Sequence, residues 1–553
     1  MDALFDRHQP TLAAALKAAQ ERGYWSAYPE IPSGKIYGET AKDDGLASYN
    51  ARLGKPFALP GHPETAKVGA EVSPFGPTLG ITYPAADADT LIAASQAAAP
   101  AWADAAVKTR VGICLEVLAR LNRISFEIAN AVMHTTGQAF AMAFQAGGPH
   151  AQDRGLEAVA YAFAEMTRTP AQAIWTKPQG KAEPIVLEKH WRIVPRGISL
   201  VIGCQTFPTW NSYPGLFASL ATGNTVIVKP HPGAILPLAI TVSVIRQVLA
   251  EEGFDANIAL LAADAPGAEI TRDLVENNAV QLIDYTGSNS FGEWVRKHAG
   301  DAQVYTEEAG VNSIVVAGTD NFAGMCANIA FSLSLYSGQM CTAPQNIFVP
   351  RNGIKTDEDH KSFDDVAKAI AAAIDDLLAD PARAGGVCGA IANPATLSRI
   401  ETARSLGTLI RDSAPVTTAG NARTATPLVL AVDADKTDAH EEERFGPIAF
   451  IVAVADVAVG IEKASSLARR KGAITAALYD TDDRRIDAAV DAFARAGVNL
   501  SINLTGGIFV NQSAAFSDFH VTGANPAGNA SLTDAAFVAN RFRTVMWRRP
   551  KAA

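Results

Sequence analysis

The sequence predicts an α/β fold built on parallel sheets. Two observations predict it: short apolar runs that read as buried strands, and helical patterns that separate them. The clearest series begins with ISLVIG (198–203), followed by a short helix (214–222) and the strand TVIVK (225–229). A long helix (236–252), the strand IALLA (258–262), another helix and the strand VQLIDY (280–285) complete it. Runs apolar on every position, rather than on alternate ones, suit strands covered on both faces. This is a dinucleotide-binding style of architecture, although no GxGxxG follows any of these strands.

Before this series, Ala-rich helical patterns fill residues 10–20 and 90–145, where many alanines serve close helix packing. The stretch KPQGKAEPIVLEKHWRIVPRG (177–197) alternates apolar and polar residues between Pro and Gly, which reads as a hairpin or extended arm. A second block of strand and helix patterns runs from 313 to about 510. The terminal FVANRFRTVMWRRP ends in a strand-like run with little to form a core alone. Such an arm is expected to pair with another element, in this subunit or in another.

The bulk numbers narrow the function classes. The chain has 553 residues, 48% of them hydrophobic and 19% charged, as in an ordinary multidomain globular protein. A net charge of −10 makes nucleic acid and anionic membrane poor default partners. The five cysteines (Cys114, Cys204, Cys326, Cys341, Cys388) are odd in number and show no CxxC or Cys/His spacing. Neither a disulfide framework nor a zinc site is indicated, and a reducing cytoplasm is the expected setting. The N-terminal MDALFDRHQPTLAAALK lacks the basic start and apolar core of a signal peptide, and no run of about 18 apolar residues predicts a membrane helix.

Four segments carry candidate chemistry. Cys341 lies in SLYSGQMCTAPQNIFV, in a loop just past a helix that ends near Ser337-Gly338. Loops beside rigid elements display reactive groups, although a lone cysteine is more often a buried small hydrophobe. Glu307 lies in VYTEEAGVNSIVV, where a pair of glutamates enters an apolar strand. Desolvating one of them would raise its pKa and suit it to base work; the bland reading is a solvated turn. Lys229 ends a buried strand at its C-terminal edge, where open α/β sheets bind ligands. It could reach a phosphate or ribose there, or simply snorkel to the surface. Finally, YTGS (285–288), with Gly287, Ser288 and Gly292, is a strand end and helix start whose free N–H groups suit a pyrophosphate.

Together these segments resemble the aldehyde dehydrogenase superfamily, from roughly residue 90 to the end. Thirty-four residues separate Glu307 from Cys341 and 23 separate Thr206 from Lys229, as in the family, and HEEERFGPI (440–448) looks like its Glu-Glu-x-Phe-Gly-Pro motif. The resemblance implies two Rossmann-like parallel-sheet domains plus a small β oligomerisation element. Residues 1–176 with 196–308 would bind the cofactor, 309–535 would form the catalytic domain, and 177–195 with 536–553 the oligomerisation element of a dimer or larger homo-oligomer. It implies that Cys341 attacks an aldehyde carbonyl, that hydride passes to NAD or NADP, and that Glu307 activates the water that hydrolyses the thioester. Lys229 would bind the adenosine ribose, Gly287 and Ser288 would lie by the pyrophosphate, Glu443 would hold the nicotinamide ribose, and Phe445 would pack nearby. The stretch AAFSDFHVTGANPAGN (514–529), with EEAGVN, looks closest to the PaaN-type proteins of phenylacetate degradation. That resemblance implies a ring-opened, CoA-linked semialdehyde as substrate.

The chain departs from the family pattern twice. Where the family usually has Trp-Asn-Phe-Pro, this chain has Gln205-Thr206-Phe207-Pro208, so Thr206 stands in the place of the oxyanion-binding Asn. Asn211, in TWNSYP, is an alternative donor, but it stands five residues too near Gly223-Asn224, and Thr206 is preferred. After Lys229, Pro232 replaces a glutamate that usually grips the ribose hydroxyls of NAD. Its absence removes a charge that repels a 2′-phosphate, and His231 would assist, so NADP should be accepted. Competing readings are a CoA-acylating dehydrogenase, which would not need Glu307, and a weakly catalytic cofactor-binding homologue. A thiol hydrolase would need a His beside the cysteine, and none of the ten histidines is near Cys341 in sequence.

Overall fold

Three sheets organise the chain in the computed structural model, which describes residues 3–308, 310–417 and 421–551. The first has five strands in the spatial order Ala259–Leu261, Thr225–Lys229, Ile198–Ile202, Val280–Gly287, Gln303–Glu308, all parallel. Its three strands between 198 and 261 are buried at every residue, which is why the sequence shows continuous apolar runs there. Chain order reverses between Ile198–Ile202 and Val280–Gly287, and a crevice opens at the C-terminal ends of strands at such a reversal.

The helix expected over 214–222 instead spans Pro208–Ala221. Pro208 occupies its first turn, where a missing N–H costs nothing, while Pro214 sits inside and misleads a reading by breakers. Packing overrides that local cost: nearly the whole helix is buried against the sheet and the helix Ala151–Thr167.

The second sheet has seven strands, in the order Thr408–Arg411, Leu428–Asp433, Ile448–Val454, Asn346–Pro350, Ser313–Val316, Thr475–Tyr479, Asn499–Ile502. Only the edge strand Thr408–Arg411 runs antiparallel.

The third sheet is antiparallel: Phe542–Pro550 pairs with Ala182–Pro195, which pairs with Gln172–Gln179. The hairpin therefore begins at Gln172, before the expected 177, and the C-terminal run finds its partner within its own chain. Just before that strand, Arg541 is fully buried and donates to both Asp284 oxygens at 2.6 and 2.7 Å, anchoring the arm to the first sheet.

The N-terminal segment that follows the helix Ala3–Glu21 crosses to the helix Ala151–Thr167. Asp153 fastens it by accepting from Ser26 Oγ at 2.6 Å and from the Ala27 N–H at 3.0 Å. The sequence reading assigned this segment no role. Among the described residues no helix is long and apolar enough to cross a membrane.

Candidate active site

Cys341 is displayed by a strained turn. The helix Phe322–Ser334 ends a few residues before the expected position and runs into a tight turn, Leu335–Gly338. Tyr336, Ser337 and Gly338 are all left-handed there, with φ of 50, 49 and 62°. The two non-glycine residues cost about 1–2 kcal/mol each in that region, so their surroundings must hold them. Ser337 Oγ donates to Ala425 O (2.7 Å) or Cys388 O (3.1 Å), and the Tyr336 hydroxyl donates to Thr136 O. A Cβ at Gly338 would lie 2.5 Å from Gly446 O, so only glycine fits. Beyond the turn, buried Asn312 donates to Cys341 O (2.8 Å) and Ala343 O (2.9 Å) and accepts from the Ile474 and Thr475 N–H groups. One side chain thus ties the cysteine loop to the second sheet.

Glu307 ends the last strand of the first sheet and faces this loop. It is 2% exposed, and its Oε1 accepts from Cys341 Sγ at 3.5 Å. The adjacent Glu308 turns the other way and pairs with Arg296. Of the two glutamates in the motif, the one beside the cysteine is therefore Glu307. Burial, reinforced by the Glu307 carboxylate, pushes the Cys341 thiol well above its ordinary value.

Two further residues complete the cluster. Asn211 Nδ2 donates to both Glu307 oxygens at 3.1 Å. The Thr206 hydroxyl, expected to serve the oxyanion, is turned on Cys204 Sγ at 3.9 Å. The Asn211 amide therefore lies against Glu307, where its position on the helix Pro208–Ala221 brings it despite the shortened spacing. The second residue is His520, whose Nε2 lies 2.9 Å from Glu307 Oε1 and 3.8 Å from Cys341 Sγ. No histidine is near Cys341 in sequence, yet His520 stands beside it: 179 residues of chain separate the two, and only the tertiary fold joins them. Among the described residues, Glu307, Cys341 and His520 also form the one group of such side chains compact enough to hold a metal ion.

Cys341 sits where two cavities meet. One, of about 580 Å³, follows the C-terminal edge of the first sheet through Lys229, His231, Gly287 and Ser288 to Glu443 and Phe445. The other, of about 730 Å³, is walled by Trp25, Met142, Phe207, Trp210, Phe331 and Phe509. Both include Asn211 and Cys341, and both are of the size that small-molecule sites occupy.

The first cavity gathers every residue expected to touch the cofactor. Ser288 caps the helix Asn289–His298 by accepting from the Phe291 N–H, and a Cβ at Gly292 would fall 2.0 Å from Glu308 Oε1. The Lys229 ammonium lies 2.8 Å from Asp264 and donates to Pro230 O, which holds it at the strand end rather than in open solvent. Burial raises the Glu443 carboxyl to about 7, with the Arg399 guanidinium opposing the shift.

A model of the aldehyde dehydrogenase family matches residues 76–520. The chain belongs to the aldehyde dehydrogenase family. It is an NAD(P)-dependent aldehyde dehydrogenase, with the α/β fold of that family. An NAD-dependent aldehyde dehydrogenase from Burkholderia multivorans is 56% identical, with a TM-score of 0.98 over 100% of this chain and 99% of its own. N-succinylglutamate 5-semialdehyde dehydrogenase of Burkholderia multivorans is 26% identical over 396 residues, covering 70% of this chain and 76% of the relative. A 1-pyrroline-5-carboxylate dehydrogenase from Thermus, 18% identical, shares the fold at a TM-score of 0.74 over 96% of this chain and 99% of its own.

In this aldehyde dehydrogenase the second cavity extends beyond the matched region. Tyr24, Trp25, Ser26 and Glu30 wall it from the N-terminal side. Sequence reading missed these residues and His520. The stretch SDFHVTG around His520 stood out as distinctive, yet nothing local ties it to Cys341.

Proposed function

We propose that this dehydrogenase oxidises an aldehyde to a carboxylic acid through a Cys341 thiohemiacetal and thioester, with Glu307 activating the hydrolytic water. The observation that carries this reading is the buried Glu307 carboxylate 3.5 Å from Cys341 Sγ, at the point where the two cavities join. Cys341 Sγ forms a bond to the carbonyl carbon, and the oxygen takes the negative charge. The Asn211 amide and the Cys341 backbone N–H are the donors assigned to that oxyanion. When bound, NAD or NADP supplies the hydride acceptor. Lys229 and Glu443 would hold its two riboses, Gly287 and Ser288 its pyrophosphate, and Phe445 the nicotinamide end. Glu307 then takes a proton from water, which attacks the thioester, breaks the C–S bond and releases the acid.

The cofactor cavity supports acceptance of both nucleotides. Pro232 and exposed His231 stand at its rim, and Asp264, the nearest acid to Lys229, does not line it. The 56% identical relative carries NAD dependence in its name, which supports NAD as one substrate.

For the aldehyde we propose a semialdehyde from aromatic-acid breakdown, of the CoA-linked kind that the likeness to the phenylacetate proteins implies. The aromatic walls of the second cavity suit an apolar chain, and Arg154 among its lining residues is a polar mark for the far end of the substrate. The curated relatives named for a semialdehyde support that class. The test is turnover on a panel of aldehydes with NAD or NADP, with and without CoA, beside a Cys341→Ala variant. Turnover without CoA that disappears in the variant is expected; turnover that requires CoA would replace hydrolysis with acylation. The three-stranded sheet leaves Ile174 (55% exposed), Val545 (52%) and Trp547 (49%) uncovered, which supports a homo-oligomer formed through that arm.

A further inference from the structure

We propose that His520 is a third catalytic residue: its Nε2 takes the Cys341 thiol proton and holds it against Glu307, so that the nucleophile works as a thiolate paired with imidazolium. The proposal rests on the thiohemiacetal reading above and adds the group that activates the sulfur.

The need for it is electrostatic. Cys341 must lose its proton to attack, yet it is packed in a buried site beside a carboxylate, and both disfavour a second anion. The charged and titratable groups around it are few. The strand Gln303–Glu308 brings Glu307, and the loop after Ile198–Ile202 brings Cys204, whose own thiol burial pushes up to about 11. The helix Pro208–Ala221 contributes uncharged Trp210 and Asn211. Arg154 stands over the Trp210 ring but is already paired with Glu157 at 2.9 Å. Asp518 lies two residues before His520 and accepts from the Ala514 N–H. Among the described residues, His520 is the one group within hydrogen-bonding reach of Cys341 Sγ that can become a cation.

The geometry also fits the proton path. The ring of His520 is 4% exposed, and its orientation is set by Trp210 packing edge-on at 4.5 Å and by Ser513 Oγ 3.4 Å from Nδ1. With its ring proton on Nδ1, facing Ser513, the free Nε2 accepts the proton of the thiol. The S–H bond breaks, the Nε2–H bond forms, and the number of protons in the cluster is unchanged. The new Nε2–H then donates to Glu307 Oε1 across the 2.9 Å contact, a separation that calls for a proton between the two atoms. When the thioester is hydrolysed, the water proton goes to Glu307 and the sulfur leaves as a thiolate into the same ion pair.

The test is the pH profile of Cys341 alkylation by iodoacetamide, without cofactor or aldehyde, read by mass spectrometry on the Cys341 peptide. Wild type is compared with His520→Gln, whose amide keeps a donor to Glu307 but cannot ionise. Wild type is expected to react already well below the ordinary cysteine range, and the variant only above it, so that the variant's rate at pH 7 falls by about tenfold or more. Superposed profiles would overturn the proposal. Should the variant fail to fold, the ultraviolet thiolate absorbance of wild type minus Cys341→Ala decides: thiolate persisting at neutral pH supports the pair, and thiolate formed only in alkali defeats it. Turnover retained in Cys341→Ala would sink the parent reading instead. An inactive Cys341→Ala with superposed profiles would sink this one alone.

Discussion

Replacing Asn211 by alanine should cripple the chemical step, whereas Thr206→Ala should barely change it. Asn211 Nδ2 is the amide that reaches the Glu307 carboxylate, 3.1 Å from each oxygen, and its residue lines both cavities beside Cys341. Removing one preorganised oxyanion donor costs about 2.7–4 kcal/mol, or about 100- to 1000-fold in kcat. The same substitution removes the bifurcated hydrogen bond that the amide gives the Glu307 carboxylate, worth about 1.5–3 kcal/mol, while the other amide N–H is the one assigned to the oxyanion. Both losses fall on one side chain and do not add, so the expected drop stays near the oxyanion figure. Thr206 Oγ1 makes only a long contact to Cys204 Sγ, 3.9 Å, and its removal is expected to change kcat by less than about threefold, under ~0.7 kcal/mol. The assay is the burst of cofactor reduction in the first turnover at saturating aldehyde, which separates hydride transfer from hydrolysis. A hundredfold loss in Thr206→Ala together with a near-normal Asn211→Ala would refute the assignment and restore the donor expected from sequence spacing.

Other outcomes follow from the same structure. The Glu443 carboxyl is raised by burial from 4.5 to about 7, so the folded protein binds its proton more tightly than the unfolded chain does. Its contribution therefore lowers stability as pH rises between those values; thermal melts from about pH 4.5 to about pH 8 should lose part of that slope in Glu443→Gln, and an unchanged slope would count against it. Cofactor affinity, measured by fluorescence titration, should rise with pH through about 7 in wild type and flatten in the same variant, because the ionised carboxylate is the stronger acceptor for ribose hydroxyls. Pro232→Glu should raise the KM for NADP and lower that for NAD, since it restores a carboxylate at the rim; equal shifts for both would show that this position does not discriminate. Ile174→Asp with Val545→Asp should reduce the particle mass seen by light scattering while leaving the far-ultraviolet spectrum intact. An unchanged mass would exclude the arm as the interface. Asn312→Ala removes four hydrogen bonds around the cysteine loop, and should cost about 1–3 kcal/mol in denaturant unfolding as well as activity, because buried backbone groups lose their partner.

What could be read from the sequence, and what could not, follows from the range of the interactions. The strands at 198–202 and 225–229 were legible because burial at every residue favours an almost continuous apolar run. Cys341 and Glu307 were legible because each sits at the end of an element and in a motif of fixed spacing. The start of the helix at Pro208 was obscured by Pro214, whose local cost is met by packing that no window of sequence displays. The N-terminal wall of the second cavity depends on Asp153 gripping Ser26, 127 residues away, and His520 meets Glu307 across 213 residues. Asn211 was legible as an alternative and Thr206 was preferred on spacing; a count along the loop does not register that the chain has already turned into the helix Pro208–Ala221, which carries Asn211 to Glu307.

The arrangement sets an anion beside a nucleophile that must itself become an anion, and the donors around Glu307 explain how the two coexist. Asn211 gives a bifurcated hydrogen bond to the carboxylate, and His520 Nε2 meets Oε1 at 2.9 Å. Charge on the carboxylate is thereby drawn toward groups on the side of the helix Pro208–Ala221 and the 513–520 loop. Were Glu307 left bare, its field in this buried site would oppose both thiolate formation and the oxyanion that follows, at a distance of 3.5 Å from the sulfur. Moving the carboxylate away would relieve the repulsion but would also remove the base from the water it must deprotonate. Holding it in place and sharing its charge with Asn211 and His520 would serve both half-reactions, so the proposed mechanism leans on two residues that lie outside the obvious motif.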